Sequence, residues 1–223
     1  LSAASPPETK GKFITLEGGE GAGKSTQMER LAERLIACGI DVVTTREPGG
    51  SPGAEDIRKL LVTGDTNRWS PMTEALLNYA ARNDHLNKTI HPALEEGAWV
   101  ISDRFADSTR AYQGTAESIP ADAIEALDQM VVGATQPDLT LILDLPVHVG
   151  LARATHGDGG DENRFERMGK PFHERLRNAF LDIAKTHKKR CVVIDASGTP
   201  DEVADAIWAA VTKKFRELTK GAA

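Results

Sequence analysis

Gly18-Gly19-Glu20-Gly21-Ala22-Gly23-Lys24-Ser25 reads G-x-x-x-x-G-K-S, and its flanks decide the fold. The apolar run Phe13-Ile14-Thr15-Leu16 leads in, and the helix-forming run Gln27 to Leu35 leads out. Strand, glycine loop and helix form the context in which this pattern closes on phosphates. Glycines let main-chain N–H groups approach an anion, and the helix N-terminus adds unpaired donors and its dipole. The competing reading is an ordinary glycine turn, which the Lys24-Ser25 pair and the flanking strand argue against. The pattern predicts a cradle running from Gly18 to Thr26. Lys24 bridges the outer phosphates of a nucleotide in this reading, and the Ser25 hydroxyl holds Mg²⁺.

Beyond the loop, strand and helix signals alternate. Asp41 to Thr45 reads as a short buried strand, and Glu47 to Gly53 as a turn-rich break. Ala54 to Val62 is helical. Ser70-Pro71 opens a long helix, Ser as N-cap and Pro at the first helical position. Its apolar stripe is Met72, Leu76, Tyr79, Leu86, Ile90 and Leu94, and Pro92 kinks or ends it. Ala98 to Ile101 is a third strand, Ile119 to Val132 a helix, and Asp138 to Leu145 contains a fourth strand. A helix starts near Val147. Pro171 to His187 is helical, Arg190 to Asp195 is a fifth strand, and Pro200 to Leu218 is a closing helix. The pattern predicts a five-stranded parallel sheet with helices on both faces, its ligands beyond the carboxyl ends of the strands.

The chain has 223 residues, enough for one α/β domain. Residues 12–223 are expected to form it, with a loose polar tail over 1–11 and a short mobile lid over about 153–167. No apolar run is long enough to span a bilayer. Two cysteines without a C-x-x-C spacing point to reduced thiols in the cytoplasm. The net charge of −6 argues against a binder of nucleic-acid polymers, so basic groups for anionic ligands must be gathered locally.

Charged residues stand at the strand ends. Asp103 follows Trp99-Val100-Ile101-Ser102 and is placed to hold Mg²⁺ directly or through water, with Arg104 next to it to grip a phosphate. A solvated Asp-Arg pair is the plainer reading, weakened by the phosphate loop nearby. Glu20 puts a carboxylate inside an anion-binding loop. Repulsion makes it a poor phosphate neighbour, so a sugar hydroxyl of a second substrate suits it better. The loop holds no arginine, yet phosphoryl transfer needs positive charge on the migrating group. Arg153, Arg164 and Arg167 in the lid segment are the candidates, and a closing lid would also exclude water. His85 has two readings, helix surface or a place in the acceptor pocket, and the first is favoured.

These features bring a family into view. Phe13-Ile14-Thr15-Leu16-Glu17-Gly18, Thr45-Arg46-Glu47-Pro48-Gly49-Gly50, Tyr79-Ala80-Ala81-Arg82, Asp103-Arg104-Phe105, Ser108 to Gly114, Pro137 to Thr140 and Arg164-Phe165-Glu166 occur in the order found in bacterial thymidylate kinases. The resemblance runs from about residue 13 to 195. The phosphate loop is shared by many NTPases, whereas Arg-Glu-Pro-Gly-Gly and Ala-Tyr-Gln-Gly are far more specific.

The resemblance implies a P-loop NTPase-type fold and transfer of the ATP γ-phosphate to dTMP, giving dTDP and ADP. It assigns Glu20 to the deoxyribose 3′-hydroxyl, and Arg58 with Arg104 to the dTMP phosphate. It places Arg82, Thr109 and Gln113 on the base edge, and Tyr112 against the sugar. Glu47, beside Pro48, orders the acceptor site and its metal, so that Ser25, Asp103 and Glu47 form the implied Mg²⁺ set. Lys24, Arg104 and a lid arginine, Arg153 or Arg164, form the implied catalytic set, with Arg153 also over ATP. It further implies a homodimer built through helix packing, for which Met72 to Leu94 offers apolar residues. Two positions depart from the family. Asn78 stands where a phenylalanine commonly stacks on thymine, and Asn163 where the family often has Asp.

Two other readings stand beside this one. Another P-loop kinase, of a different nucleotide or a nucleoside, is kept open by Asn78. A guanine-nucleotide switch would need N-K-x-D, and Asn87-Lys88-Thr89-Ile90 lacks the acid.

Overall fold

The computed structural model describes residues 11–116, 119–154 and 164–219. Most of the expected tail, and the central part of the expected lid over 155–163, lie outside the described residues.

Five strands build one parallel sheet in the order β2-β3-β1-β4-β5. They are β1 (Phe13–Glu17), β2 (Val42–Arg46), β3 (Trp99–Asp103), β4 (Leu139–Asp144) and β5 (Cys191–Asp195). Alternation within the strands divides the core. Ile14 and Leu16 of β1 join Leu139, Leu141 and Leu143 of β4 on one face. That face is covered by α1 (Lys24–Ala37) and α9 (Pro200–Lys214) through Leu31, Leu35, Ile207 and Val211. Phe13 and Val100 point the other way and meet Tyr79, Leu86 and Ile90. Ile142 packs on Leu176 and Phe180 of α8 (Lys170–Thr186) on that second face. A fully buried hydroxyl pair, Thr15 and Thr140, is satisfied across β1 and β4 at 2.9 Å.

The expected elements recur with small shifts at their ends, but β2, expected to be buried, is a largely half-buried edge strand. The second helix, α2, begins at Pro52 and ends at Val62. The long helix from Ser70 divides into α3 (Pro71–His85), a π-helical segment (Leu86–Ile90) and α4 (His91–Glu95). The Ser70 hydroxyl accepts from the Thr73 N–H, as an N-cap does. Pro92 lacks an N–H and falls in the first turn of α4, just after the widened turn in which the His91 N–H reaches the Leu86 carbonyl. Asn87-Lys88-Thr89-Ile90 lies within that π segment.

The apolar stripe also divides. Tyr79, Leu86 and Ile90 are core residues, whereas Met72 and Leu76 are 39% and 51% exposed. No element is expected from sequence over Ala106–Ala116. The structure has α5 (Ala106–Thr109) running into a second π-helical segment (Arg110–Ala116). Trp99 is buried and Trp208 packs against the core. Trp69, expected in or near the core, is half-exposed on the loop after α2, where its indole N–H bonds the Leu60 carbonyl at 3.0 Å.

The remaining helices are α6 (Ala121–Val131) and α7 (Val147–Ala154). Among the described residues no helix is long and apolar enough to cross a membrane.

Candidate active site

The carboxyl ends of the central strands carry the charges. Register places Arg46 beside Asp103 and Leu16 beside Asp103, so the ends of β2, β3 and β1 converge. The glycine loop leaves β1 and enters α1 directly at Lys24. Gly21 has φ +67°, and a Cβ there would collide with the carbonyl of Gly150 in α7, so only glycine permits this close crossing. The Lys24 ammonium donates to the carbonyls of Gly19 at 3.0 Å and Gly18 at 3.4 Å. Burial and the neighbouring Arg104 charge pull its pKa down.

Ser25 Oγ donates to Asp103 Oδ2 at 2.6 Å. A hydroxyl and a carboxylate at the foot of a phosphate cradle are hard oxygen donors suited to Mg²⁺. Among the described residues no group of three or more His, Cys, Asp or Glu is arranged to hold a metal. The pair Ser25–Asp103 is therefore the part of the expected metal set that the structure brings together. The third expected member, Glu47, accepts from Arg82 Nε at 2.8 Å and lies 3.0 Å from His85 Nδ1.

Arg104 sits at the centre. Its backbone is in the left-handed region, φ 69°, outside glycine an uncommon conformation. The turn is held from several sides. Arg104 N–H bonds the Leu16 carbonyl at 2.9 Å, and Ser102 Oγ donates to the Arg104 carbonyl at 2.7 Å. The fully buried Glu17 carboxylate accepts from Phe105 N–H at 2.9 Å, Ser108 N–H at 3.2 Å and Ser108 Oγ at 2.6 Å. Burial, with Asp107 nearby, pushes the Glu17 pKa up. The Arg104 guanidinium donates to the Gly18 carbonyl and to Glu20, each at 3.0 Å. Tyr112 Oη donates to the same Glu20 oxygen at 2.5 Å. Burial alone would raise the Glu20 pKa. The charges of Arg104 and Lys24 and the Tyr112 hydroxyl outweigh it and bring the carboxyl down to about 2.

Two clefts meet here. The larger, of about 740 Å³, is lined by Glu20 to Gln27, Asp103, Arg153 and, on its far wall, Ala196, Gly198, Pro200 and Val203. The smaller, of about 130 Å³, is lined by Pro48, Asn78, Thr109, Tyr112 and Gln113, together with Val62, Ser108, Phe165 and Glu166. Glu20, Glu47, Arg58 and Arg104 line both. Arg58 donates to the Pro48 carbonyl at 2.8 Å. Gln113 Nε2 donates to Glu74 at 3.1 Å, and Asn78 Nδ2 to the Glu74 carbonyl at 2.9 Å. Arg82 is buried, and beyond Glu47 it donates to Thr109 Oγ1 at 3.1 Å. Its Nη1 is buried with no hydrogen-bond partner among the described residues. A charged donor is not left so at no cost, and an incoming acceptor would relieve it.

The two lid arginines separate. Arg153 lines the larger cleft and donates to the Ala196 carbonyl at 3.2 Å. Arg164, the other candidate for the catalytic arginine, lines neither cleft. Its guanidinium is buried, ion-paired with Glu74 and bonded to the carbonyls of Leu61, Asp65 and Thr66. His85 is a correction. It is fully buried, on neither the helix surface nor the cleft wall, with Nε2 2.6 Å from Thr45 Oγ1. Sequence reasoning also missed Ser108, Phe165 and Glu166 as cleft residues. The first lies in a motif already singled out and the other two directly follow Arg164, but one-dimensional spacing gives no direction for their side chains.

The fold and these two joined clefts define a P-loop phosphotransferase with a donor side and an acceptor side. The thymidylate kinase family model matches residues 16–207. Thymidylate kinase from Caulobacter vibrioides is 59% identical over 207 residues, covering 93% of this chain and 99% of that protein. Thymidylate kinase from Bradyrhizobium diazoefficiens is 50% identical over 215 residues, covering 96% and 94%. The crystal structure of thymidylate kinase from Ehrlichia chaffeensis matches with a TM-score of 0.72 at 34% identity, covering 90% of this chain and 98% of that one. The chain belongs to the thymidylate kinase family, whose members are ATP-dependent nucleoside monophosphate kinases.

Proposed function

We propose that this chain transfers the γ-phosphate of ATP to dTMP, with ATP in the larger cleft and dTMP in the smaller. The observation that carries this reading is the shared wall: Glu20, Glu47, Arg58 and Arg104 border both clefts, so donor and acceptor phosphates meet without either leaving its site. The glycine loop from Gly18 to Gly23, Lys24, Ser25 and Thr26 cradle the triphosphate. Arg104, fixed between Gly18 and Glu20, carries positive charge to the point where the phosphates converge, and Arg58 adds a second charge from the acceptor side. Arg153 serves the donor side as the arginine that the loop itself lacks.

Glu20 stays ionised at neutral pH and accepts from the acceptor sugar's 3′-hydroxyl. Tyr112 packs beside that sugar. Thr109, Gln113 and Asn78 face the base, with Arg82 directly behind Thr109. Mg²⁺, held by Ser25 and Asp103, would neutralise charge on the β- and γ-phosphates. Exclusion of water by the segment around 153–167 keeps the phosphoryl group from hydrolysis.

The same reading makes the protein a homodimer through α3, supported by the outward Met72 and Leu76 one helical turn apart. It places the protein in the cytoplasm, which agrees with the free thiols of Cys38 and Cys191. Turnover with ATP and equal concentrations of dTMP, dUMP, UMP and GMP tests the acceptor assignment. dTMP is the preferred acceptor in this account, and preference for any of the others overturns it.

A further inference from the structure

Behind the acceptor cleft lies a buried chain of polar side chains that reaches the cleft wall at Glu47 and Thr109. Thr45, near the end of β2, and His85, the last residue of α3, meet at 2.6 Å through Oγ1 and Nε2. His85 Nδ1 lies 3.0 Å from Glu47 Oε1, and Glu47 Oε2 lies 2.8 Å from Arg82 Nε. The chain ends at Thr109, which accepts from Arg82 Nη2, and at the unpartnered Arg82 Nη1. An ionised carboxylate only accepts, so the Nδ1–H of His85 donates to Glu47. In the neutral ring Nε2 then accepts the Thr45 hydroxyl proton, and both nitrogens are satisfied.

The space around this pair is reserved. Gly50 has φ +83°, and a Cβ at that position would strike both His85 Nε2 and Thr45 Oγ1. Glu47 lines the acceptor cleft directly, as does Thr109, so the buried imidazole sits one side chain away from the wall that a nucleotide would touch.

We propose that His85, set by Thr45, is a positioning residue for acceptor recognition. It fixes the Glu47 carboxylate, which aligns the Arg82 guanidinium with Nη1 left as a donor for the acceptor nucleotide. Burial of one carboxylate against an arginine alone would leave its second oxygen undersatisfied and its rotamer underdetermined. The imidazole supplies the second bond, and the Thr45 hydroxyl holds the ring from its far nitrogen. This inference rests on the smaller cleft being the dTMP site.

The test compares steady-state kinetics of His85→Leu, His85→Asn, Thr45→Val and Arg82→Ala, each checked for folding by circular dichroism. His85→Leu removes both contacts and is expected to raise KM for dTMP about tenfold, with KM for ATP within about twofold of wild type. His85→Asn returns an N–H near the Nδ1 position and is expected to recover most of that loss. Thr45→Val keeps the strand residue's shape and is expected to raise KM for dTMP about threefold. Unchanged KM for dTMP in folded His85→Leu, or equal rises for both substrates, overturns the positioning role. If His85→Leu does not fold, Thr45→Val carries the test, and an unchanged KM for dTMP there has the same meaning. Arg82→Ala separates the two readings: if it leaves KM for dTMP unchanged, the cleft assignment itself fails.

Discussion

Lys24 and Arg82 illustrate two ways in which a residue's chemistry is set. Lys24 is given by the local chain, because the loop pattern and the start of α1 place its ammonium over the Gly18 and Gly19 carbonyls. Lys24→Ala is expected to lower kcat about 10²- to 10³-fold, measured as ADP release at saturating dTMP, because it removes a charge aimed at the transferring group. Arg82 is given by partners far away in sequence, and no local pattern states that its Nη1 is unpaired. Glu20 makes a pH prediction. Its folded pKa of about 2 lies below the ordinary carboxylate value of 4.5, so its stabilising contribution is complete above about pH 4.5 and is lost as pH falls toward 2. That contribution is about 3 kcal/mol at most. Urea titrations at pH 7 and pH 3 are expected to show a smaller acid loss for Glu20→Gln than for wild type. An equal loss in both would assign acid sensitivity to other groups.

Among elements, the sheet and the phosphate loop were legible in sequence, and the acceptor side only in outline. Phe13 to Glu17 could be recognised because a short apolar run and a glycine loop are local signals. The π-helical turns over Leu86–Ile90 and Arg110–Ala116 could not. Their geometry is imposed by distant partners, such as Tyr112 on Glu20 and Gln113 on Glu74. The surroundings of Arg164 were not legible for a related reason. A charged residue in a presumed lid reads as solvated or catalytic, yet Glu74 on α3, the Leu61 carbonyl at the end of α2 and two carbonyls of the loop after it take up its donors. His85 was read as a surface residue because helix periodicity does not report a carboxylate waiting on another loop. Capping, by contrast, is local. The Thr199 hydroxyl and Glu202 form a reciprocal cap at the start of α9. Thr199→Ala is expected to cost about 1 kcal/mol in denaturant unfolding with kcat unchanged. A fall in kcat at full stability would tie α9 to the donor cleft more closely than this account does.

The molecule as a whole carries net negative charge, yet Lys24, Arg46, Arg58, Arg104 and Arg153 all line the larger cleft. Attraction for polyphosphates is therefore local, while the rest of the surface repels nucleic-acid polymers. Association belongs to this scale as well. Leu76→Glu, at the exposed face of α3, is expected to convert the proposed dimer into monomers in sedimentation experiments, and unchanged sedimentation would remove α3 from the interface. The joining of the two clefts across Glu20, Glu47, Arg58 and Arg104 is the central claim, and product stoichiometry tests it most directly. With ATP and Mg²⁺ present, ADP release is predicted to need dTMP and to match dTDP formation one for one. ADP released at the same rate without dTMP, or without dTDP appearing, would contradict direct transfer between the clefts.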